Sequence, residues 1–182
     1  MVDARSVLGV VTLACLLAVT GCTSDEPAGP APSPTPVVQT PTETTLERQQ
    51  RLDYAAAEKS YRTFRAEYNR VLRAGGAKKP TKLMKATAGG SYLAELTEVI
   101  VAYDRIGGHD SGKEKILYVR PDGHSARAVI LEVCEDERPI LSIAPGRRLK
   151  GNEIRVARLK VRKVGTSWKL WSGTGQKVSS CE

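Results

Sequence analysis

Histidine, aromatic side chains and paired-cysteine motifs are scarce in this 182-residue chain, and each shortage removes a class of function. His109 and His124 are its only histidines and no CxxC spacing links its four cysteines, so no zinc site or dithiol redox centre is implied. A phosphate-binding loop is also missing, and neither a cofactor nor a metal is expected. Aromatic residues make up 5% of the chain and do not interleave with its basic residues, which argues against nucleic acid as a partner. Long apolar runs are absent too. The stretch from Val7 to Val19 falls short of the roughly 20 residues that a bilayer-spanning helix needs.

That stretch has instead the length of a secretory signal core, roughly 7 to 15 residues. Arg5 precedes it, weakly because Asp3 opposes the charge, and Val19-Thr20-Gly21 leads into Cys22. The pattern resembles the end of a bacterial lipoprotein signal; an ordinary secretory signal containing a cysteine is the plainer alternative. The resemblance implies cleavage before Cys22, a thioether from its sulfur to diacylglycerol, and attachment to the extracytoplasmic face of the cell membrane. Each buried methylene contributes about 0.8 kcal/mol, so two or three acyl chains hold a protein where one would dissociate.

Three regions follow: a signal over 1–21, a tether over 22–45 and one domain over 46–182. Six of the ten prolines lie between residues 23 and 45, with few large apolar side chains, a composition that cannot bury enough surface to fold. An extended proline-biased tether of this length would reach on the order of 70 Å. The domain carries 27 basic against 16 acidic residues, and from Arg138 onward 11 basic residues face only Glu153 and Glu182. Such a surface outside the cytoplasm attracts anionic envelope components, with Arg155, Arg158, Lys160 and Arg162 as the candidate contact residues. Solvated strand faces explain the same charges without a partner.

Of the cysteines, Cys15 lies in the signal and Cys22 takes the lipid, leaving Cys134 and Cys181 in the domain. In an oxidising compartment these two are expected to form a disulfide that pins the C-terminus. A reactive thiol is the weaker alternative.

Thr44 and Glu47 read as a capping box opening a helix that runs to Arg73. Ala57, Tyr61, Phe64, Tyr68 and Val71 share its apolar face, with Arg62, Arg65 and Arg70 expected to point elsewhere. Gly75 and Gly76 end it, a short helix follows from Pro80 to Ala86, and a third is expected from Ser91 to Ile106 with Tyr92, Leu96, Val99, Tyr103 and Ile106 on one face. Strands are expected over 115–120 and 125–134, joined by a turn at Pro121-Asp122-Gly123, and over 152–164, returning through Trp168 to Trp171. In the long strand Ile154 and Val156 fall in one phase, Leu159 and Val161 in the other, which a bulge near Ala157 and Arg158 would reconcile. The fold class is therefore α+β, with two or three helices packed on a bent four-stranded antiparallel sheet.

That order of elements resembles the ketosteroid isomerase-like, or nuclear-transport-factor-2-like, cone. The Ala88-Gly89-Gly90 break, the Gly107-Gly108 stop, the Cys134-Glu135-Asp136 strand end, the Trp168 hairpin and Cys181 are similar to those of small actinobacterial lipoproteins of that fold. Enzymes of the fold place an acidic base and oxyanion donors inside the cone, but no such pair can be carried over to residues here, and no catalytic residue is assigned. Tyr61, Phe64, Tyr68, Tyr92, Tyr103 and Trp168 are the candidates to line a pocket, although core packing accounts for the tyrosines more simply. His109-Asp110-Ser111 is not a triad, because neighbouring side chains in a short loop point apart. Two readings remain: a non-enzymatic binding module for a protein or anionic envelope partner, and a cone that holds a small apolar molecule or transfers a proton.

Overall fold

The computed structural model describes residues 43–182. The signal, Cys22 and nearly all of the tether lie outside the described residues. Helix α1 spans Thr45–Arg73 and opens on the expected capping box: the Glu47 amide donates to Thr44 Oγ1 at 3.2 Å and the Thr44 amide to the Glu47 carboxylate at 2.8 Å. Helix α2 spans Lys82–Thr87 behind a Thr81 cap, and α3 spans Gly90–Ile106. No helix among the described residues is long and apolar enough to cross a membrane.

Seven strands follow: β1 His109–Ser111, β2 Lys115–Ser125, β3 Ala128–Asp136, β4 Leu141–Ala144, β5 Arg147–Lys150, β6 Ile154–Val164 and β7 Ser167–Val178. They form a four-stranded antiparallel sheet in the order β2-β3-β6-β7 and a three-stranded one in the order β1-β4-β5. The helices lie on one face of the larger sheet. Between them Ala57, Tyr61, Phe64, Met84, Ile100, Val129, Val133, Val161 and Leu170 are completely buried, each large side chain contributing about 1.5–3 kcal/mol.

Four sequence expectations need correction. The chain does not reverse at Pro121-Asp122-Gly123. Strand β2 continues through those residues with a register shift between Pro121 and Gly123, and the turn falls at Ala126 and Arg127, where Ser125 bonds to both backbone groups of Ala128. Strand β2 is an edge strand, so the missing proline amide costs no ladder bond, and the glycine absorbs the bulge. The smaller sheet was not foreseen. Its β4-β5 hairpin is short, and Gly146, with φ of 69°, sits at its turn.

The third correction concerns β6. It pairs with β3 from Asp136–Ile154 to Ala128–Arg162 without interruption, so there is no bulge at Ala157 or Arg158. Its uneven pattern has another cause. Ala157, Leu159 and Val161 face the helices, whereas Ile154 and Val156 share the opposite face with Cys134. Cys134 bonds Cys181 there, with Cα atoms 6.1 Å apart, so the tail leaving β7 crosses β6 on that outer side. Ile154 is buried on that face as well. The bulge lies in β7, where Trp171 is the extra residue between the Lys160–Ser172 and Val161–Leu170 pairs. Trp171 then packs on the entry to α3: a Cβ at Gly90, whose φ is +57°, would stand 2.5 Å from the Trp171 carbonyl oxygen.

The fourth is the face of α3. Ile100 is buried and Tyr92, Leu93, Leu96 and Tyr103 pack partly against the core, while Val99 and Ile106 are exposed. Tyr92, Leu96 and Tyr103 keep to the expected stripe, whose centre is shifted by about half a residue toward Leu93 and Ile100.

The disulfide closes a separation of 47 residues, for which the chain-entropy model gives about 4 kcal/mol. Reduction, or replacement of both Cys134 and Cys181 by Ala, is expected to lower stability by about 2–4 kcal/mol in denaturant titrations. Unchanged stability under reductant would show that the tail contributes nothing to holding the sheet.

Candidate functional site

Tyr61, Phe64, Tyr68 and Trp168 meet at the centre of the domain, but they fill the cone rather than line an opening. Tyr61 and Phe64 are fully buried, and the Phe64 ring stacks on Tyr68 at 6.0 Å and meets Tyr92 edge-on at 5.3 Å. Tyr103 stands apart from them. Its hydroxyl donates to Asp110 at 2.9 Å, beside Ser142, and so links α3 to the smaller sheet. Asp110 is thus a structural partner, and His109 and Ser111 alternate to the other side of their strand.

The polar part of the interior was missed by the sequence reading. Arg65 is buried, not solvent-facing as its charge suggested. It follows Tyr61 by four residues, which places it along the same stripe of α1. Its guanidinium bonds both oxygens of Glu114, approaches Glu135 at 3.2 Å and lies 4.0 Å from Glu137. The Tyr61 hydroxyl donates to Glu135 at 2.5 Å. Strand alternation explains the acid: on β3, Val129, Leu131, Val133 and Glu135 point inward, so the terminal carboxylate continues an apolar row. The signal available in the sequence was the acidic run Glu135-Asp136-Glu137 opposite a helix with an arginine in its apolar stripe.

Burial raises the Tyr61 phenol, and the neighbouring Glu135 charge raises it further. Burial also lifts Tyr68, and pushes Tyr92 up to about 12. For Arg65, burial opposes the charge, but the neighbouring Glu135 carboxylate raises it and the guanidinium stays protonated. Burial raises the Glu137 carboxyl while Arg65 pulls it down.

Oxygens of Glu114, Glu135 and Glu137 lie within 4.8 Å of one another, the set best placed among the described residues to hold a cation. Arg65 already bonds among them, so one of the three negative charges is compensated by the guanidinium. Beside this cluster a cleft of about 130 Å³ opens between α3 and the sheet, with Arg65, Tyr92, Glu95, Glu135 and Arg155 around it. Gly173 and Gly175 form its floor: a Cβ at Gly173 would stand 2.6 Å from Leu159, and one at Gly175 3.0 Å from the Arg155 guanidinium. The cleft is room for a few waters, against roughly 300–1,000 Å³ for ordinary ligand sites.

The four basic residues singled out on β6 divide. Arg158, Lys160 and Arg162 point from the outer face of the sheet, while Arg155, in the opposite phase, faces the cleft. Arg158 pairs with Asp122 at 2.5 Å, and Arg162 lies over the Trp171 ring at 4.6 Å. Arg120 and Glu132 pair on the same face.

No family model matches the chain, and no curated protein does. The solved structures that align over most of it include two of low sequence identity. One is the intermembrane space region of the chloroplast protein ARC6, at 15% identity and a TM-score of 0.44, covering 76% of this chain and 100% of that one. The other is a putative dehydratase from the NTF2-like family of Streptomyces avermitilis, at 14% identity and a TM-score of 0.46, covering 72% and 99%. The α+β architecture accordingly rests on the element order and strand register above.

The raised tyrosine values have a consequence at alkaline pH. A phenol whose folded value exceeds its ordinary 10 contributes stability that is present below pH 10 and lost as pH rises through the folded value. Tyr61 should therefore ionise only with unfolding. An absorbance titration of Tyr61→Phe is expected to show the same tyrosinate amplitude before unfolding as the parent protein; a smaller amplitude would place Tyr61 in contact with solvent.

Proposed function

We propose that this chain is a lipoprotein anchored through Cys22 on the extracytoplasmic face of a membrane, and that its domain is a non-enzymatic binding module for an anionic envelope component. The observation that carries the reading is the division between a filled interior and an open basic face. Glu135, the carboxylate best placed inside the cone, is engaged by Tyr61 and Arg65, and the remaining cleft is small. An apolar ligand of ordinary size has no room there, and the proton-transfer alternative finds its central carboxylate already engaged. Outside, Arg158, Lys160 and Arg162 project together from one strand. Summed charge of this kind acts over about 10 Å at moderate salt and weakens as salt is added.

Two measurements test the two halves. A Cys22→Ser chain should leave the membrane fraction for the medium, and its persistence there would remove the anchor. Retention of the Cys22→Ser chain on isolated anionic wall polymer should fall with added salt and drop severalfold when Arg158, Lys160 and Arg162 become Gln, whereas Arg155→Gln should leave it unchanged. Retention indifferent to salt and to the triple change would remove the charged surface from the account.

A further inference from the structure

Helix α3 carries an apolar strip that the core does not use. Val99 and Ile106 are 37% and 51% exposed, and Ala102 between them is exposed as well. Steps of three and four residues set these side chains in one line along the helix, beside the half-buried Tyr103. The strip continues past the end of the helix. A Cβ at Gly108 would stand 3.3 Å from Ile106 Cδ1 and 3.5 Å from the Ile143 carbonyl oxygen, which sets Ile106 against strand β4. Leu149, 50% exposed, is the cross-strand partner of Ser142, whose hydroxyl lies 3.0 Å from that of Tyr103. Cross-strand partners share a face, so Leu149 stands on the side of the smaller sheet that α3 approaches.

Charge is graded along this surface. Glu95 and Glu98 each precede a residue of the strip by one turn, at Val99 and Ala102, and so mark its beginning as acidic. Arg105 follows Ala102 by three residues, and Arg147, two residues before Leu149 on β5, shares the Leu149 face, so the far end is basic. Asp104 lies on the other side of the helix, and Arg148 and Lys150 alternate to the other face of β5. Glu95, Glu98, Arg105 and Arg147 are all exposed, and among the described residues none of them belongs to an ion pair, whereas Glu58, Glu67 and Glu132 are each held by an arginine. The order along the surface is acidic, apolar, basic. A two-fold axis through the apolar middle lays the acidic end of one copy on the basic end of another, and the strip on itself.

We infer that this face pairs two copies of the chain as an isologous dimer, with the α3 helices antiparallel, Val99, Ala102, Ile106 and Leu149 covered between them, and Glu95 and Glu98 opposite Arg105 and Arg147 of the second copy. Charge complementarity selects this occupant. An anionic membrane would be repelled by the acidic end, and a partner of one charge sign would satisfy only half of the surface, whereas a second copy satisfies both ends at once. The small side chain of Ala102 at the middle lets the two helices approach closely. Helix α3 lies on the opposite side of the larger sheet from Arg158, Lys160 and Arg162, so the dimer leaves that basic face open and stands independently of the reading under the previous heading.

The test uses the full chain carrying Cys22→Ser, so that no acyl group drives association, followed by sedimentation equilibrium over a concentration series. A dimer is expected, weakened by added salt. Ile106→Glu sets a like charge on both sides of the apolar strip and should weaken it by about a hundredfold or more, since the contact is lost twice. Two charge-reversed chains give the sharper result. Glu95→Arg with Glu98→Arg, and separately Arg105→Glu with Arg147→Glu, should each weaken self-association by at least about tenfold. Mixed in equal amounts, the two should form a heterodimer as tight as the parent, because opposite charges again meet at both ends. Restoration by mixing also shows that each variant is folded, and thermal melting at the parent temperature checks this for each alone. A parent chain that stays monomeric across the series overturns the inference, as does an oligomer that survives Ile106→Glu and both reversals. Reversed chains that melt like the parent yet remain monomeric when mixed would likewise overturn it.

Discussion

The arrangement of the domain depends on one buried guanidinium. Arg65 ties α1 to Glu114 before β2, and to Glu135 and toward Glu137 at the end of β3, so two separate segments converge on a single side chain. Burying that charge alone would cost several kcal/mol, and burying the carboxylates alone would cost more. Together, with the Tyr61 hydroxyl on Glu135, they satisfy one another inside a shell of aromatic rings. Broken pairs of this kind typically cost about 3–5 kcal/mol because an uncompensated charge remains. The cluster thereby sets how α1 lies across the sheet, and with it which side chains close the cone.

The consequence for function follows from that closure. The centre of the domain is filled by Tyr61, Phe64 and the Arg65–Glu135 pair. What remains open is the surface, and its charge is unevenly spread. Acidic residues are drawn into pairs near the cluster and along β2 and β3, whereas Lys160 and the lysines around α2 are exposed. The expected tether and anchor would hold such a surface close to phosphate-rich neighbours, where modest individual attractions add.

Much of the scaffold was legible in the sequence because its signals are local. The Thr44–Glu47 capping box, the Gly75-Gly76 stop and the apolar stripe from Ala57 to Val71 each depend on residue types at fixed spacing, whereas the Cys134–Cys181 pairing followed from their being the two cysteines left in the domain. The errors arose where tertiary structure overrides a local signal. Pro121-Asp122-Gly123 is a strong turn sequence, yet on an edge strand it is accommodated as a bulge. The two phases of β6 resembled a slip because the disulfide-bound tail gives the outer face a cover of its own, which no window of β6 alone contains. Arg65 was assigned to solvent because a charge is usually exposed, and its acids lie far along the chain. The division of Arg155 from Arg158, Lys160 and Arg162 follows from simple alternation once the register is known.

The central claim is that Arg65 and Glu135 act as a unit, and a double-mutant cycle on stability tests it most directly. Arg65→Met and Glu135→Leu are each expected to destabilise by about 3–5 kcal/mol, while the double variant, which removes both members of that pair and leaves only Glu114 without its guanidinium, should lose less than the two combined by at least about 1 kcal/mol. Costs that add to within about 0.5 kcal/mol would contradict the account, because independent contributions would mean that the cluster does not organise the core.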